Sequence, residues 1–358
     1  MKYTTSVGLD VHARSIKAAA LVHETGEVVE RSFAYCASDL IKWIKTLPKP
    51  TQCVYESGPT GFDLLRKLQA ANITCDIGAV SKMLRPSGDK IKTDKKDAIF
   101  LARMLAVDNV VKIYVPTIED EAARDLARAR EDVRQELTRA KQLVSKFLLR
   151  KGIVYDKGKS TWTHAYRKWL ETIELSTQTE KFVLNEYLLG VKDAEYRRER
   201  IDRAIDNLVK TERWSEVVKR LSLIRGVSTV TAFSVAAEIG DFTRFKNASA
   251  FYSYLGLVPS LSESGESSTS GSITKTGNSH VRKLLIESAW HHRRRLPRIS
   301  QQVSQDIDSH IVRHAQKANL RLHERSIHLL QRKLHSCKVN VAVAREMAGF
   351  IWALAKDS

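Results

Sequence analysis

The feature that most constrains the fold is a pair of aspartates, Asp94 and Asp97, at the start of a helix-like apolar run, residues 98–105. In a helix beginning near Thr93 the two carboxylates stand three residues apart and project from one face. Because they repel each other, they cost stability unless a cation lies between them. The pair alone also suits an ordinary helix start, with Thr93 as N-cap and the acids complementing the helix dipole. The rest of the chain must decide between these two interpretations.

The first 80 residues have the pattern of a mixed α/β domain. Apolar runs separated by turn residues predict an opening antiparallel meander, after which helices and strands alternate. The predicted strands are 7–12, 17–22, 28–35, 52–56 and 73–80, and the predicted helices are 38–47 and 62–71.

Two further acids belong to these strands. Asp10 lies within the first strand, and Glu56 ends the strand that follows the first helix. An acid inside an apolar strand is expensive to bury unless it is compensated. Together with Asp94 and Asp97 they predict a metal site. The pattern resembles the ribonuclease H-like (RuvC-like) fold, in which acids come from the first strand, a later strand and a C-terminal helix.

The middle of the chain predicts two long amphipathic helices. Apolar residues recur at steps of three and four in residues 118–150 and again in 187–208, which is typical of a coiled-coil seam. The helices could pair with each other or with a second chain, and residues 154–180 between them match no pattern. We predict three parts: an α/β domain at 1–112, a helical dimerisation segment at 113–213 and a mainly α domain at 214–358.

The third part contains two distinctive segments. Ile224-Arg225-Gly226-Val227-Ser228 joins two apolar helical stretches in the manner of a helix-hairpin-helix, whose amides can meet a DNA phosphate, although a plain helical turn would look similar. Residues 260–272 are rich in serine, and taken alone they predict a flexible loop.

Composition narrows the class of partner. Lysine and arginine exceed the acidic residues by 18, and the pI is near 9.7. This excess favours a polyanionic partner, with nucleic acid ahead of a membrane surface. No stretch approaches the roughly 18 apolar residues of a membrane span. The four cysteines are scattered without CxxC spacing, which indicates reduced thiols in the cytoplasm.

Several motifs, taken in order, resemble the IS110/IS1111 family of bacterial transposases. Those of its DEDD domain are Gly8-Leu9-Asp10-Val11-His12, Tyr55-Glu56-Ser57-Gly58 and Lys92-Thr93-Asp94-Lys95-Lys96-Asp97-Ala98. Those of its C-terminal transposase domain are Leu255-Gly256-Leu257-Val258-Pro259, Glu263-Ser264-Gly265 and Ile273-Thr274-Lys275-Thr276-Gly277-Asn278 with Arg282. The chain departs from the family at Arg225, where members often have proline.

The resemblance implies a site and a set of partners. Asp10, Glu56, Asp94 and Asp97 would be the DEDD tetrad holding Mg²⁺, or Mn²⁺ in its place, and Ser264 would be the nucleophile that forms a phosphoserine ester. Expected partners are the DNA of the element ends and target, a structured guide RNA and further copies of the chain, as homo-dimer and homo-tetramer. The expected location is the bacterial cytoplasm, at the nucleoid. Expected nucleic-acid contacts are Lys92, Lys95, Lys96, Arg225, Lys275, Arg282, Lys283, Arg293, Arg294 and Arg295.

Two other functions remain open from the residues themselves. The tetrad could hydrolyse phosphodiesters in a junction-resolving nuclease with Ser264 as a mere loop residue, or the basic helices could serve a non-catalytic nucleic-acid-binding protein. Ser264 lies more than 150 residues from the tetrad. This spacing suggests the hypothesis that each site combines one chain's tetrad with the Ser264 of another copy.

Overall fold

The structure is a computed structural model that describes residues 3–79, 94–158, 160–264, 267–294, 299 and 306–356. The side chains of Asp94, Lys95 and residues 262–264, 267 and 268 lie outside that description. The chain forms two compact units, Met1–Val115 and Pro116–Ser358. The predicted dimerisation segment and the predicted C-terminal domain both fall within the second unit.

The first unit is built on a mixed sheet of five strands within the described residues, in the order β3-β2-β1-β4-β5. The first three strands form the predicted antiparallel meander, and β4 and β5 run parallel to β1. The elements are β1 Thr5–Val11, β2 Ser15–Val22, β3 Val28–Ala34, α1 Ala37–Thr46, β4 Thr51–Glu56, α2 Asp63–Ala70, β5 Thr74–Gly78 and α3 Asp94–Ala106. The strands and helices predicted from the sequence are confirmed to within two residues at each end.

Strand β1 is covered on both faces, and its residues from Thr5 to Leu9 are all buried. Val7 and Leu9 pack into one core with α1 and α2. The opposite face of the sheet packs against α3, where Val54 of β4 joins Leu101 and Leu105. The unit therefore has three layers, with the sheet between α1 and α2 on one side and α3 on the other.

The second unit begins with two long helices that pair with each other. They are α4 Ile118–Arg150 and α6 Gln178–Leu208, and their buried apolar seam includes Leu137, Val144, Phe147, Leu184, Val191 and Ala194. Ion pairs flank this seam, such as Arg130 with Asp202, Nε to Oδ1 at 2.9 Å. The question that the sequence left open is thus answered for this seam, because the two helices bury it within one chain.

The segment that matched no pattern contains a short helix, α5 His164–Glu171. Its Tyr166 and Trp169 stack with Tyr155 and Trp162 in an aromatic cluster. The cluster packs against the ends of α4 and α6, so it closes the helix pair. Two of its four aromatic residues, Tyr155 and Trp162, lie outside the helix, and for this reason helical periodicity did not find the cluster.

The remainder of the second unit is mainly helical and surrounds one large core. Helices α7 and α8 form the predicted helical hairpin, with Gly226 in the left-handed region at φ 83° in the turn between them. The elements are α7 Glu212–Ser222, α8 Thr229–Ile239, α9 Ala248–Tyr254, β6 Pro259–Ser264, β7 Ser267–Ile273, α10 Ser279–Ala289, a 3-10 turn Trp290–Arg293, α11 Ser309–Gln331 and α12 Ser336–Ala355.

The four cysteines are free, two of them buried. Among the helices of the described residues, none combines the length and apolar character needed to cross a membrane.

Candidate functional site

The first candidate site is an acidic cleft at the end of strands β1 and β4. Gly8 pairs with Val54 and Leu9 with Tyr55 across these parallel strands. One residue further, Asp10 therefore lies next to Glu56, at the strand spacing of about 4.8 Å. Side chains alternate between faces along a strand, so Asp10 and Glu56 share the α3 face with Gly8 and Val54. The sheet thus brings together two acids that are 46 positions apart in the sequence, 56 − 10.

Helix α3 contributes the third acid. Asp10, Glu56 and Asp97 all line one cleft of about 720 Å³. Asp10 has a side chain 19% exposed, Asp97 is half-buried and Glu56 is exposed. The backbone of Asp94 opens the same helix one turn before Asp97, as the sequence predicts, but its side chain lies outside the description.

Gly8 allows α3 to approach the sheet this closely. A Cβ at this position would overlap the carbonyl oxygen of Ala98 and would lie 2.5 Å from the amide nitrogen of Ala102. Glycine within a strand commonly marks the close approach of another backbone. The residue that touches Gly8 is the immediate neighbour of Asp97. The absence of a side chain at Gly8 therefore sets the distance between Asp10 and Asp97.

Two residues to which sequence reasoning gave no separate role also line the cleft. His12 Nε2 is 3.0 Å from Asp10 Oδ2, which restrains that carboxylate. Tyr35 donates its hydroxyl to Asp63 at 3.4 Å, and its pKa is raised by burial and by the nearby Asp63 charge. The sequence signal for His12 is its position two residues after Asp10. Tyr35 ends a strand, and only the fold shows that it faces the cleft.

The donor set of the cleft consists of carboxylate oxygens, the ligands that Mg²⁺ and Mn²⁺ prefer. In the part of the chain that the structure describes, no group of three or more such side chains is gathered closely enough to hold a metal ion. The three carboxylates therefore share one cleft without forming a closed ligand cage. Their chemistry fits a hard divalent cation.

The second candidate site is a β-hairpin that carries Ser264. Contrary to the flexible loop expected from its composition, the serine-rich stretch forms the antiparallel strands β6 and β7, with Ser264 pairing with Ser267 at the tip. Described residues on both strands are exposed, such as Leu261 at 67%. A strand that is not buried needs no apolar alternation, and the sequence therefore gave no strand signal. Residues 265–266 and the Ser264 side chain lie outside the description.

The base of this hairpin is fastened to the helical core. Thr274 and Lys275 donate their amides to the carbonyls of Val258 and Gly256, at 2.9 and 3.1 Å. Gly256 and Gly277 both adopt positive φ, 65° and 69°. A Cβ on Gly256 would lie 2.5 Å from Thr276 backbone atoms. An isolated two-stranded hairpin is marginal in water, so these contacts hold the hairpin in place.

Several residues predicted to contact nucleic acid also form bonds within the second unit. Arg282 donates to the carbonyls of Leu255 and Thr276 at 2.9 and 3.0 Å, which fastens the hairpin base from α10. Arg293 donates to Asn340 and to the Ser336 carbonyl, and Lys283 donates to Glu131 at 2.6 Å. These three side chains have clear structural roles.

The other predicted contacts differ in accessibility. Lys96, Lys275 and Arg294 are exposed, and Arg225 is half-buried. Lys92, Arg295 and the side chain of Lys95 lie outside the described residues. Among the described residues, the predicted contacts therefore include both exposed side chains and side chains bonded within the unit.

Two family models match this chain. Residues 218–304 match the family model of the IS116/IS110/IS902 transposases, and residues 7–152 match the transposase model of the IS110 DEDD domain. DEDD transposase domains typically depend on a divalent metal ion.

Curated relatives extend the similarity along the whole chain. A putative transposase, y4qE, of Sinorhizobium fredii is 35% identical over 98% of this chain and 88% of its own length. The transposase for insertion sequence element IS1533 of Leptospira borgpetersenii is 31% identical over 91% of this chain and 96% of its own. The transposase for element IS1111A of Coxiella burnetii is 25% identical over 58% of this chain and 56% of its own. The chain therefore belongs to the IS110 family of transposases, DNA-binding enzymes of DNA recombination.

Proposed function

We propose that this transposase cuts and rejoins DNA through a covalent phosphoserine intermediate, with Asp10, Glu56, Asp94 and Asp97 as metal ligands and Ser264 as nucleophile. The observation that carries the proposal is the acidic cleft, where three of these four acids meet on one face of the sheet. The strand order β3-β2-β1-β4-β5 supports a ribonuclease H-like fold for the first unit.

In the cleft, the carboxylates of Asp10, Glu56 and Asp97 supply negatively charged oxygens, and His12 restrains Asp10. Mg²⁺, or Mn²⁺ in its place, would neutralise the negative charge of the DNA phosphate when it is bound there. Asp94 begins the helix that carries Asp97, one turn earlier, and we propose it as the fourth ligand.

The proposed chemical step is a transesterification. The Ser264 oxygen forms a bond to phosphorus, the bond from phosphorus to one sugar oxygen breaks, and the serine proton is transferred to that departing oxygen. A serine hydroxyl is a weak nucleophile at neutral pH, so it needs activation from its surroundings. Because one phosphate ester replaces another, the reverse attack by a sugar hydroxyl rejoins DNA without ATP.

We also propose the partners expected from the family resemblance: the DNA of the element ends and target, a structured guide RNA and further copies of the chain in dimers and tetramers. The net charge of +18 supports a nucleic-acid partner. Two relatives are transposases for the insertion sequence elements IS1533 and IS1111A, which supports DNA of a mobile element as substrate.

Denaturing gels of the protein with end-labelled DNA test the proposal. We expect labelled DNA to remain attached to the wild-type chain and to Ser270→Ala, whose serine lies exposed on the neighbouring strand. Ser264→Ala is expected to form no covalent complex. Free DNA ends without attachment would instead indicate the junction-resolving nuclease, and intact DNA would indicate a non-catalytic binding protein.

The binding of nucleic acid is expected to depend steeply on salt. Each neutralised phosphate releases counterions, so a protein with six or more such contacts loses about 10³-fold or more in affinity between 50 and 200 mM salt. Fluorescence anisotropy of labelled DNA across this range measures the slope. A flat profile would contradict a binding mode based on lysine and arginine contacts to phosphates.

A further inference from the structure

The core of the second unit contains a buried acid that the proposed reaction does not use. Glu238, near the end of α8, has a side chain only 1% exposed. A buried carboxylate costs several kcal/mol unless charged or polar donors compensate it. Such donors reach Glu238 from two other helices and from the segment that follows the serine hairpin.

The first donors come from α4. Arg128 forms a two-point contact with Glu238, Nε to Oε1 at 2.8 Å and Nη2 to Oε2 at 3.2 Å. Arg124, one turn earlier, donates to the backbone carbonyls of Ala237 and Glu238 at 3.4 and 3.2 Å. The end of α8 is therefore bound to α4 through the Glu238 carboxylate and through two backbone carbonyls.

The remaining donors come from the start of α10. Asn278 donates from Nδ2 to Oε2 of Glu238 at 2.8 Å, and His280 Nδ1 lies 3.3 Å from Oε1. Burial acts to raise the pKa of Glu238, but hydrogen bonds from His280, Arg128 and Asn278 outweigh it and lower the pKa to about 2. The carboxylate is thus ionised at neutral pH.

Asn278 also determines how the chain leaves the hairpin. Its Oδ1 accepts the amide of Val281 at 2.9 Å and caps α10, while its Nδ2 is held by Glu238. Just before it, Gly277 packs directly on the carbonyl of Tyr254. One turn after it, Arg282 reaches the hairpin base. The orientation of Asn278 therefore fixes the joint between β7 and α10.

We infer that Glu238 is a positioning residue for the hairpin that carries Ser264, and that it transmits the position of α4 to the hairpin base through Arg128 and Asn278. The inference rests on the proposed function, since its effect on catalysis requires Ser264 to be the nucleophile. The effect of Glu238 on the position of the hairpin base can be measured without any reaction.

The decisive substitution is Asn278→Asp. Aspartate caps a helix as well as asparagine does, so α10 keeps its cap, but the donor to Glu238 becomes a second carboxylate. We expect the amides of Thr274 and Lys275 to exchange with solvent about tenfold faster or more, the effect of losing one charge-assisted hydrogen bond. Formation of the covalent DNA complex should slow by at least as much, while DNA affinity stays within about twofold.

Exchanging the donor and the acceptor between positions 238 and 278 should restore the hydrogen bond. In Glu238→Gln combined with Asn278→Asp, the new amide can donate to the new carboxylate, so exchange at the hairpin base and covalent complex formation should both return toward wild-type rates. A general loss of packing would instead worsen with the second substitution.

Arg128→Gln provides a second variant, which places no new charge in the core because glutamine is neutral and Arg128 is 56% exposed. Its matched control is Arg130→Gln, since Arg130 also lies on α4 and binds a carboxylate, that of Asp202 on α6 rather than Glu238. We expect faster exchange at Thr274 and Lys275 in the first variant only.

Two results would overturn the inference. One is unchanged exchange at the hairpin base in both Asn278→Asp and Arg128→Gln, and the other is an equal change in Arg130→Gln. If exchange rises as expected but the wild-type chain forms no covalent DNA complex, the proposed nucleophile is refuted and the positioning of the hairpin by Glu238 is supported.

Discussion

Replacing Asp10 by asparagine is expected to reduce DNA cleavage by more than about 100-fold. Losing a residue that only supports a metal ligand costs up to about 100-fold, and the loss of a proposed ligand itself should cost more. Asp10 lies beside Glu56 of the adjacent strand and shares the cleft with Asp97 of α3. Asparagine preserves the size of the side chain and can still accept a hydrogen bond from His12. The loss would therefore report the missing charge rather than a change of packing.

The same variant should also change how stability responds to metal ions, which is a readout independent of catalysis. A cation that binds only the folded chain stabilises it by about 2.7 kcal/mol at 100 times its dissociation constant. We expect Mg²⁺ to raise the unfolding temperature of the wild-type chain and to have little effect on Asp10→Asn. Without the ion, the variant should be at least as stable as the wild type, because one of three neighbouring negative charges is gone.

Calorimetry with and without Mg²⁺ measures both effects. Asp39→Asn is the matched control, because Asp39 lies on α1, is 58% exposed and pairs with Lys42 away from the cleft. Its response to Mg²⁺ should equal that of the wild type. An equal response in Asp10→Asn would show that the cleft does not bind the ion through Asp10.

The sequence indicated where two of the acids lie relative to the strands, because an acid within or at the end of an apolar run is conspicuous. Asp10 lies within one strand and Glu56 ends another, and the bounds of both strands were predicted to within two residues. The pairing of β1 with β4 was the missing step, because register between strands that are not consecutive depends on tertiary packing rather than on local pattern. Once Leu9 lies beside Tyr55, the position of Asp10 next to Glu56 follows.

Other features could not be predicted from the sequence, for identifiable physical reasons. The hairpin of β6 and β7 is exposed, so no apolar alternation marked it, and its stability comes from distant contacts such as those of Arg282. Charge in a sequence does not reveal its partner, so the bonds that Arg282 and Arg293 form within the second unit were not foreseen. Glu238 lay in an apolar helix with no visible partner, since its donors are 40 or more residues away. Long-range polar pairing is what local pattern analysis cannot recover.

Gly8→Ala is expected to have the second large effect, although Gly8 carries no functional group. Its new Cβ would overlap the Ala98 carbonyl oxygen and lie 2.9 Å from the Leu101 Cβ. The obstructing atoms at Ala98 and Ala102 belong to the helix backbone, so no change of rotamer can relieve the overlap. Either α3 must move away from the sheet or β1 must shift.

Each of these movements separates Asp97 from Asp10. Overpacking of a core costs about 1–3 kcal/mol, and a displacement of about 1 Å in a catalytic arrangement can cost about 100-fold in rate. We therefore expect Gly8→Ala to lower the free energy of unfolding by about 1–3 kcal/mol and to reduce DNA cleavage by about 100-fold. Denaturant titration and cleavage assays measure the two effects separately.

Gly190→Ala is the matched substitution, because Gly190 lies within α6 and a Cβ there would meet no atom within 4 Å. In the interior of a helix the change from glycine to alanine stabilises by about 1 kcal/mol, so this variant should cleave DNA at the wild-type rate and unfold no more easily. If Gly8→Ala behaved in the same way, the close packing of α3 on β1 could not be what sets the separation of Asp10 and Asp97. A loss confined to Gly8→Ala would make the spacing between sheet and helix, rather than the identity of the acids alone, a determinant of cleavage.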